Sequence, residues 1–333
     1  YPLFYPKPGW AEQEAEDYWN SVVTNTKRIL EREDISPDQV VALTFTCQMN
    51  CTVPIDDNGD PLMNCISWLD TRAAKITKKF TKGFPKASGY PLFKILTFLR
   101  IAGGGPGHNG KDPISHILWM KEEESAMYRD TYKFLSVKDY VIFKCTGNAI
   151  TSRDLAHTSW MMDSRKGIFD WSEKLLTKYG IDGSKLPQIK KFTDLAGKLT
   201  EEASSVLNLR EGLPVIASSG DLTSGAIGSG AIKNGDIASS LGTSAWVGAH
   251  VEKRRLDLSH YIGPISSFED RYFTISKQET GSACLDWLKN QAFRDKMEVN
   301  PEEIYSILDA AAESSNPGAK KLMITAGMFG EGP

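Results

Sequence analysis

The stretch LPVIASSGDLTSGAIG, residues 213–228, decides the fold of this chain. It opens with the β-rich apolar run LPVIA, which is typical of a buried strand, and small residues follow Asp221 in a helical pattern. Asp221 therefore lies at the end of a strand, where open α/β sheets bind ligands. The first amides of the next helix and its positive dipole end lie close to this carboxylate. The segment predicts an α/β protein with a ligand site around Asp221.

A second strand–turn–strand segment, DIASSLGTSAWVG, covers residues 236–248. Its turn, Gly242-Thr243-Ser244, can offer backbone amides and hydroxyl groups to a phosphate, although the same residue types also form ordinary hairpin turns. A carboxylate base that faces a phosphate-binding turn indicates phosphoryl transfer to a hydroxyl group.

The composition excludes two classes of partner. A net charge of −3 gives the chain no basic footprint for nucleic acid. The longest apolar run, residues 90–101, is interrupted by Lys94 and Arg100 and is too short to span a bilayer, so no membrane partner is expected. With 333 residues, 41% hydrophobic and 24% charged, the sequence is typical of a globular protein with two domains.

The cysteines and histidines predict no metal site. The chain has five cysteines, an odd number scattered through apolar segments, which favours reduced thiols in a cytoplasmic protein. Cys47 and Cys51 are four residues apart, but no second pair completes a zinc site. The five histidines show no ligand spacing.

Alternating strand and helix patterns predict mixed sheets. Helices are expected over residues 11–32, 71–80, 92–101, 113–129, 171–179, from 199 onward, 223–228, 281–294 and 301–312. Strands are expected over residues 40–46, 213–217, 236–241, 244–248, within 261–276 and over 321–325, with a hairpin turn at residues 57–60. Smaller residues become common after Gly212, which predicts one domain over residues 1–212 and a second over 213–333.

Further segments carry a resemblance in the same order along the chain. They are PGWAEQ (residues 8–13), CQMN (47–50), ISWLDTR (66–72) and KDY (138–140) followed by Thr146-Gly147. Together with the two segments above, they resemble the FGGY carbohydrate kinases, which phosphorylate ketoses and polyols, and most of all their xylulokinase branch. The resemblance implies two actin-like (ribonuclease-H-like) domains, both incomplete in this chain, with the active site in the cleft between them. It also implies ATP and Mg²⁺ as cofactors and a small-molecule sugar as substrate.

Asp221 is the catalytic residue that this resemblance implies. A sugar hydroxyl is a weak nucleophile at neutral pH, and an aspartate within hydrogen-bond reach can accept its proton, which contributes roughly 10²–10⁴-fold in rate. The alternative is a purely structural helix N-cap, a common position for aspartate.

The resemblance also assigns substrate contacts. Gly242, Thr243, Ser244 and Gly281 correspond to ATP-binding positions, although the segment around Gly281 also fits an ordinary helix cap. Met49, Asn50, Trp68 and Asp70 correspond to the sugar side, where the alternatives are a core position for Trp68 and a helix cap for Asp70.

Two positions depart from the xylulokinase pattern. Asn50 replaces the usual histidine, and Leu222 replaces the usual Asn or Asp after the catalytic aspartate. Both changes alter the polar groups expected near the sugar. They weigh against xylulose, which leads as the substrate only through the overall resemblance, with ribulose, glycerol or gluconate as alternatives and a non-catalytic sugar-binding homologue as another reading. A glycoside hydrolase would need a second carboxylate that the sequence does not supply, and homodimer formation is left open.

The glycine-rich segment GPGHNGKD, residues 105–112, nearly fits a P-loop. Asp112 stands where that motif needs a magnesium-binding hydroxyl and would repel phosphate. The segment is expected to form either a lid over the cleft or a plain connection.

Relatives in the family begin with a strand and a glycine-rich phosphate turn and extend through an adenosine-binding segment. Neither is recognisable in this sequence, so residues 1–333 alone are expected to be inactive or nearly so.

Overall fold

The structure, a computed structural model, describes residues 1–322 apart from residues 33, 88, 243–244, 258–261, 279 and 296–301. The helices within this part are α1 Ala15–Leu30, α2 Lys78–Thr81, α3 Leu92–Ile101, α4 Pro113–Glu123, α5 Ser125–Asp130, α6 Val137–Thr146, α7 Arg153–Thr158, α8 Glu173–Tyr179, α9 Glu201–Leu207, α10 Asp221–Gly228, α11 Ala283–Gln291 and α12 Ile304–Glu313. The strands are β1 Glu12–Gln13, β2 Leu43–Thr44, β3 Val53–Ile55, β4 Cys65–Ile66, β5 Lys86–Ala87, β6 Tyr90–Pro91, β7 Lys133–Leu135, β8 Ile150–Ser152, β9 Met162–Asp163, β10 Asp170–Trp171, β11 Gln188–Lys190, β12 Leu195–Lys198, β13 Pro214–Ile216, β14 Ile237–Leu241, β15 Ala245–Val251, β16 Gly263–Ser266 and β17 Tyr272–Gln278.

Local capping signals placed several helices correctly. Thr200 accepts a hydrogen bond from the backbone N–H of Ala203 at the start of α9. Gly180 ends α8 in the left-handed conformation that glycine adopts without strain. Asp112 is the N-cap residue of α4 and Pro113 occupies its first position.

Other expectations were wrong in length or position. The helix expected over residues 113–129 is broken at Glu124, whose backbone leaves the helical region between α4 and α5. The expected 71–80 helix is a 3-10 turn, Arg72–Lys75, followed by α2. Of the strand expected over residues 40–46, only the part that forms β2 is hydrogen-bonded to a neighbouring strand. At the expected 321–325 strand, Lys321 closes a 3-10 turn and residues 323–325 lie outside the described residues.

The sheet that positions the site has the order β12-β13-β2. β13 runs parallel to β2, with Val215 opposite Leu43 and Ile216 opposite Thr44, and β12 joins the other side of β13 antiparallel. Helices α1, α6 and α9 pack beside this sheet, and Tyr140 and Leu207 are among the side chains fully buried there. The carboxyl ends of β2 and β13 therefore open at the same edge.

A second, wholly antiparallel sheet has the order β14-β15-β17-β16. α10 packs against β14, and α7 packs against β16. His157 of α7 is buried and connects β16 to the end of α3. Its Nδ1 accepts a hydrogen bond from the Ser266 backbone N–H at 2.7 Å, and its Nε2 donates one to the Ala102 carbonyl at 2.5 Å. This arrangement fixes the neutral tautomer of the ring.

The domain boundary after residue 212 stays a prediction. The strand that follows it, β13, belongs to the same sheet as β2, and Leu213 and Val215 share a buried core with Tyr140 of α6.

Among the described residues, none of the helices combines the length and apolar character needed to cross a membrane. All five cysteines are free thiols, and Cys47, Cys51, Cys65 and Cys145 are buried.

Candidate functional site

Two loops meet at the edge where β2 and β13 end. The chain leaves β2 through Cys47, Met49 and Asn50, and it leaves β13 through residues 217–221, called here the Asp221 loop. The backbone N–H of Asp221 donates to the Cys47 carbonyl at 2.9 Å and joins the two loops. The parallel pairing of two strands far apart in sequence thus brings the predicted base beside two of the predicted sugar contacts.

Asp221 is the first residue of α10, and Gly220 occupies the N-cap position with extended backbone. The Asp221 carboxylate accepts from the Leu222 N–H through Oδ1 at 2.8 Å and is otherwise exposed. The pKa of Asp221 is raised, first by desolvation from the surrounding protein and then by the negative charge of Asp154, while the Leu222 amide opposes the rise. Because the side chain still contacts solvent, screening limits the size of that rise.

Gly220 is the point of closest approach between the two loops. A Cβ atom at this position would lie 2.6 Å from Met49 Cε and 3.1 Å from Leu155 Cδ2. Met49 is buried, at 7% exposure. Glycine therefore allows Met49 to pack directly under the turn that presents Asp221.

Asn50 has a left-handed backbone, with φ at 61°, and its Oδ1 is buried without a hydrogen-bond partner among the described residues. It lines a partly open cavity of about 40 Å³ together with Asp139, Thr151 and Ser159. A cavity of this size has room for one water molecule beside the unpartnered Asn50 Oδ1.

Trp68 and Asp70 have different environments, although both were predicted to face the sugar. Trp68 is 45% exposed and follows β4. Its backbone N–H faces the Cys51 thiol, which places Trp68 beside the loop that follows β2.

Asp70 is completely buried and its carboxylate is occupied. Oδ2 accepts from the Ala11 N–H at 2.6 Å and from Arg72 Nη2 at 2.8 Å, and Oδ1 accepts from the Arg72 N–H at 2.7 Å. The Arg72 guanidinium also pairs with Glu12 at 2.6 Å and lies 3.7 Å from the centre of the Trp10 ring. These contacts give Asp70 a structural role in the described chain.

The residues predicted to bind the phosphates of ATP follow the carboxyl end of β14. Ser282, before α11, donates its backbone N–H to the Gly242 carbonyl at 2.7 Å and its hydroxyl to the Leu241 carbonyl at 3.2 Å. Gly242 and Gly281 are therefore close neighbours, and Gly242 is exposed. Thr243 and Ser244 lie outside the described residues.

Sequence reasoning did not single out Asp154, and it noted Lys138 only as part of the KDY segment without a role, yet both are buried charged residues. Asp154 Oδ2 accepts from the Gly220 N–H at 2.8 Å, and Lys138 Nζ donates to the Ala217 carbonyl at 2.8 Å. Both contacts hold the Asp221 loop. The signal that could have found Asp154 is similar to the one that identified Asp221, a carboxylate in the first turn of a helix that follows a strand.

The glycine-rich segment before α4 is held in place. Asp112 accepts from the Gly107 N–H at 2.6 Å and from Trp160 Nε1 at 2.7 Å. A Cβ at Gly110 would lie 2.4 Å from the Ala73 carbonyl carbon. This packing resembles a fixed connection more than a mobile lid.

Comparison with known proteins adds a family match. The model of the FGGY family of carbohydrate kinases, N-terminal domain, matches residues 1–228. The chain is 27% identical over 336 residues to a xylulose kinase of Bacillus subtilis, and 24% identical over 335 residues to a gluconokinase of the same organism. Each alignment covers 99% of this chain and 62% of the relative.

Solved structures agree with the fold. A ligand-bound xylulose kinase and a gluconate kinase, both from Lactobacillus acidophilus, each superpose with a TM-score of 0.84 at 21% identity. Each superposition covers 99% of this chain and 63% of the other. The predicted α/β, actin-like (ribonuclease-H-like) fold class is confirmed.

Proposed function

Because the chain belongs to the FGGY family of carbohydrate kinases, we propose that its protein transfers the terminal phosphate of ATP to a sugar hydroxyl, with Asp221 as general base. The supporting observation is the exposed Asp221 carboxylate at the shared edge of β2 and β13, bonded through its backbone to Cys47. Open α/β sheets bind ligands at such an edge.

The proposed chemistry needs a carboxylate that is ionised and accessible. Asp221 accepts one internal hydrogen bond, from the Leu222 N–H, which leaves oxygen lone pairs for a substrate hydroxyl. Its raised pKa makes it a stronger base than an ordinary aspartate. It takes the proton from the hydroxyl as the new O–P bond forms and the bond to ADP breaks.

The sugar side of the proposed site comprises Met49, Asn50 and Trp68. Met49 packs against Gly220, and the 45% exposure of Trp68 leaves its ring free to stack on the apolar face of a sugar. Asp70 is assigned to the structure of the site, since its carboxylate already has partners.

ATP is proposed to bind near Gly242 and Gly281, with Thr243 and Ser244 from the same turn. Among the described residues, no group of three His, Cys, Asp or Glu side chains is arranged to hold a metal ion. This fits a Mg²⁺ that is held mainly by phosphate oxygens and water rather than by a dedicated set of side chains. Bound Mg²⁺ neutralises charge on the transferred phosphoryl group.

Xylulose is the leading substrate, and gluconate is the main alternative. Relatives carrying both names match almost the whole chain at similar identity. The chain spans 62% of the length of each of these relatives. A cytoplasmic location is proposed with this function.

Magnesium-dependent ADP release tests the proposal. The panel contains xylulose, ribulose, glycerol and gluconate, with Asp221→Ala assayed in parallel. We expect one class of substrate to stimulate ADP release and the variant to lose that signal while it keeps sugar binding. Sugar binding without nucleotide binding would instead support a non-catalytic sugar-binding protein.

A further inference from the structure

The Asp221 loop is held by charged side chains from two helices. Lys138 of α6 donates Nζ to the Ala217 carbonyl, and Asp154 of α7 accepts the Gly220 N–H, each at 2.8 Å. Lys138 and Asp154 are buried, at 1% and 0% exposure. Two buried charges that contact the same short loop destabilise the fold unless each has a full set of hydrogen-bond partners.

Asp154 is fully partnered as a carboxylate. Oδ1 accepts from the Ser152 hydroxyl at 2.5 Å and from the Leu155 N–H at 2.9 Å, and Oδ2 accepts from the Gly220 N–H. Burial raises the pKa of Asp154, while these donors and the positive charge of Lys138 lower it. Because every named partner donates to it, the ionised form is the one that this geometry suits.

The ionised Asp154 acts on Asp221 in two ways. Its hydrogen bond to Gly220 fixes the residue directly before Asp221 and so sets where that carboxylate points. Its negative charge favours the protonated form of Asp221 and so strengthens Asp221 as a base. We propose that Asp154 is a positioning residue: it aims the Asp221 carboxylate through the Gly220 amide and places its own negative charge near that carboxylate. This inference rests on the proposed function of Asp221.

The other elements packed around Asp221 contribute few opposing charges. Lys138 and Asp139 of α6 form an ion pair at 2.9 Å, so their charges largely offset one another. α10 carries Asp221 as its one charged residue, β14 carries none, and the loop joining Cys47 to Asn50 carries none. Removal of the Asp154 charge should therefore change the proton affinity of Asp221 more than removal of any of these other charges.

The test is a titration of Asp221 by NMR with ¹³C-labelled aspartate, its signal assigned by loss in Asp221→Asn. In Asp154→Asn, the proton affinity of Asp221 should fall by about tenfold. Asp163→Asn is the matched control, because Asp163 is also a buried carboxylate but pairs with Arg165. It should leave the Asp221 titration unchanged. An Asp221 titration that is the same in Asp154→Asn and wild type would overturn the proposal.

Two further readouts separate the outcomes. The acid limb of kcat/KM should move to lower pH in Asp154→Asn, a change that mere loosening of the loop would not produce. If this variant does not fold, the wild-type Gly220 amide resonance decides. It should stay strongly downfield while Asp221 titrates, and an upfield position would contradict the bond to an ionised Asp154. Full turnover in Asp221→Asn would exclude Asp221 as the general base. The titration would still show whether Asp154 affects the protonation of Asp221.

Discussion

Gly220→Ala adds one methyl group at the contact between the two loops of the site. The new Cβ would lie 2.6 Å from Met49 Cε and 2.9 Å from Met49 Cγ. Carbon atoms pack comfortably at about 3.5–4.0 Å, so Met49 or the Asp221 loop must move by about 1 Å. The φ of Gly220 is −70°, which alanine adopts freely, so the cost is purely steric.

Overpacking of this kind costs about 1–3 kcal/mol, and the adaptable thioether of Met49 places the expected loss near about 1–2 kcal/mol. If the Asp221 loop takes part of the shift, kcat/KM should fall by about 10²-fold, since a displacement of about 1 Å disturbs reacting groups to that extent. Urea unfolding measures the first effect, and ADP release measures the second.

Gly228→Ala is the matched control on the same helix. A Cβ at Gly228 meets no atom within 4 Å, and alanine in a helix is favoured over glycine by about 0.5–1 kcal/mol. This variant should be as stable as wild type or more so, with unchanged turnover. Equal stability and equal kcat/KM in the two variants would refute the close packing of Met49 beneath Gly220.

Three other changes follow from the structure. Asp70→Asn should reduce the free energy of unfolding in urea by about 3 kcal/mol, because it weakens the partnering of the buried Arg72. His157→Gln should flatten the pH dependence of stability. Burial lowers the pKa of His157 to about 4, so the neutral ring contributes its full stabilisation above pH 6.5, and this stabilisation is lost as the pH falls toward 4. Trp68→Ala should raise the KM for sugar by about tenfold and leave urea unfolding within about 0.5 kcal/mol of wild type.

Each of these has a clear contrary result. Unchanged stability with weakened sugar binding in Asp70→Asn would restore Asp70 to the sugar side. For His157, wild type should lose about 2 kcal/mol relative to the variant between pH 7 and pH 5, and parallel curves would contradict the neutral ring. Trp68→Phe should keep most of the affinity, and equal KM values in Trp68→Ala and wild type would exclude stacking.

Local signals carried most of the correct predictions. The strand before Asp221, the helix after it and the caps at Thr200 and Gly180 are each decided by residues a few positions apart. Such contacts can be inferred from spacing and residue type alone. The break of the 113–129 helix at Glu124 left no comparable signal, because no proline or glycine marks it.

Contacts between distant segments were beyond the reach of sequence reasoning. The Asp154 carboxylate and the Gly220 amide are 66 residues apart, and only folding brings them together. The sugar-side assignment of Asp70 stays a prediction, and its hydrogen bond from the Ala11 amide, 59 residues away, could not be inferred from the sequence. The sequence shows Arg72 two residues after Asp70, but it does not show that Arg72 is buried.

The role of Asp221 as general base is tested most directly by the rate of phosphoryl transfer in Asp221→Asn. Glu201→Gln is the control, because Glu201 is likewise the first residue of a helix but is exposed away from the site. We predict that Asp221→Asn loses about 10²–10⁴-fold in kcat and binds sugar within tenfold of wild type by calorimetry, whereas Glu201→Gln keeps both. A kcat for Asp221→Asn within threefold of wild type would contradict the account.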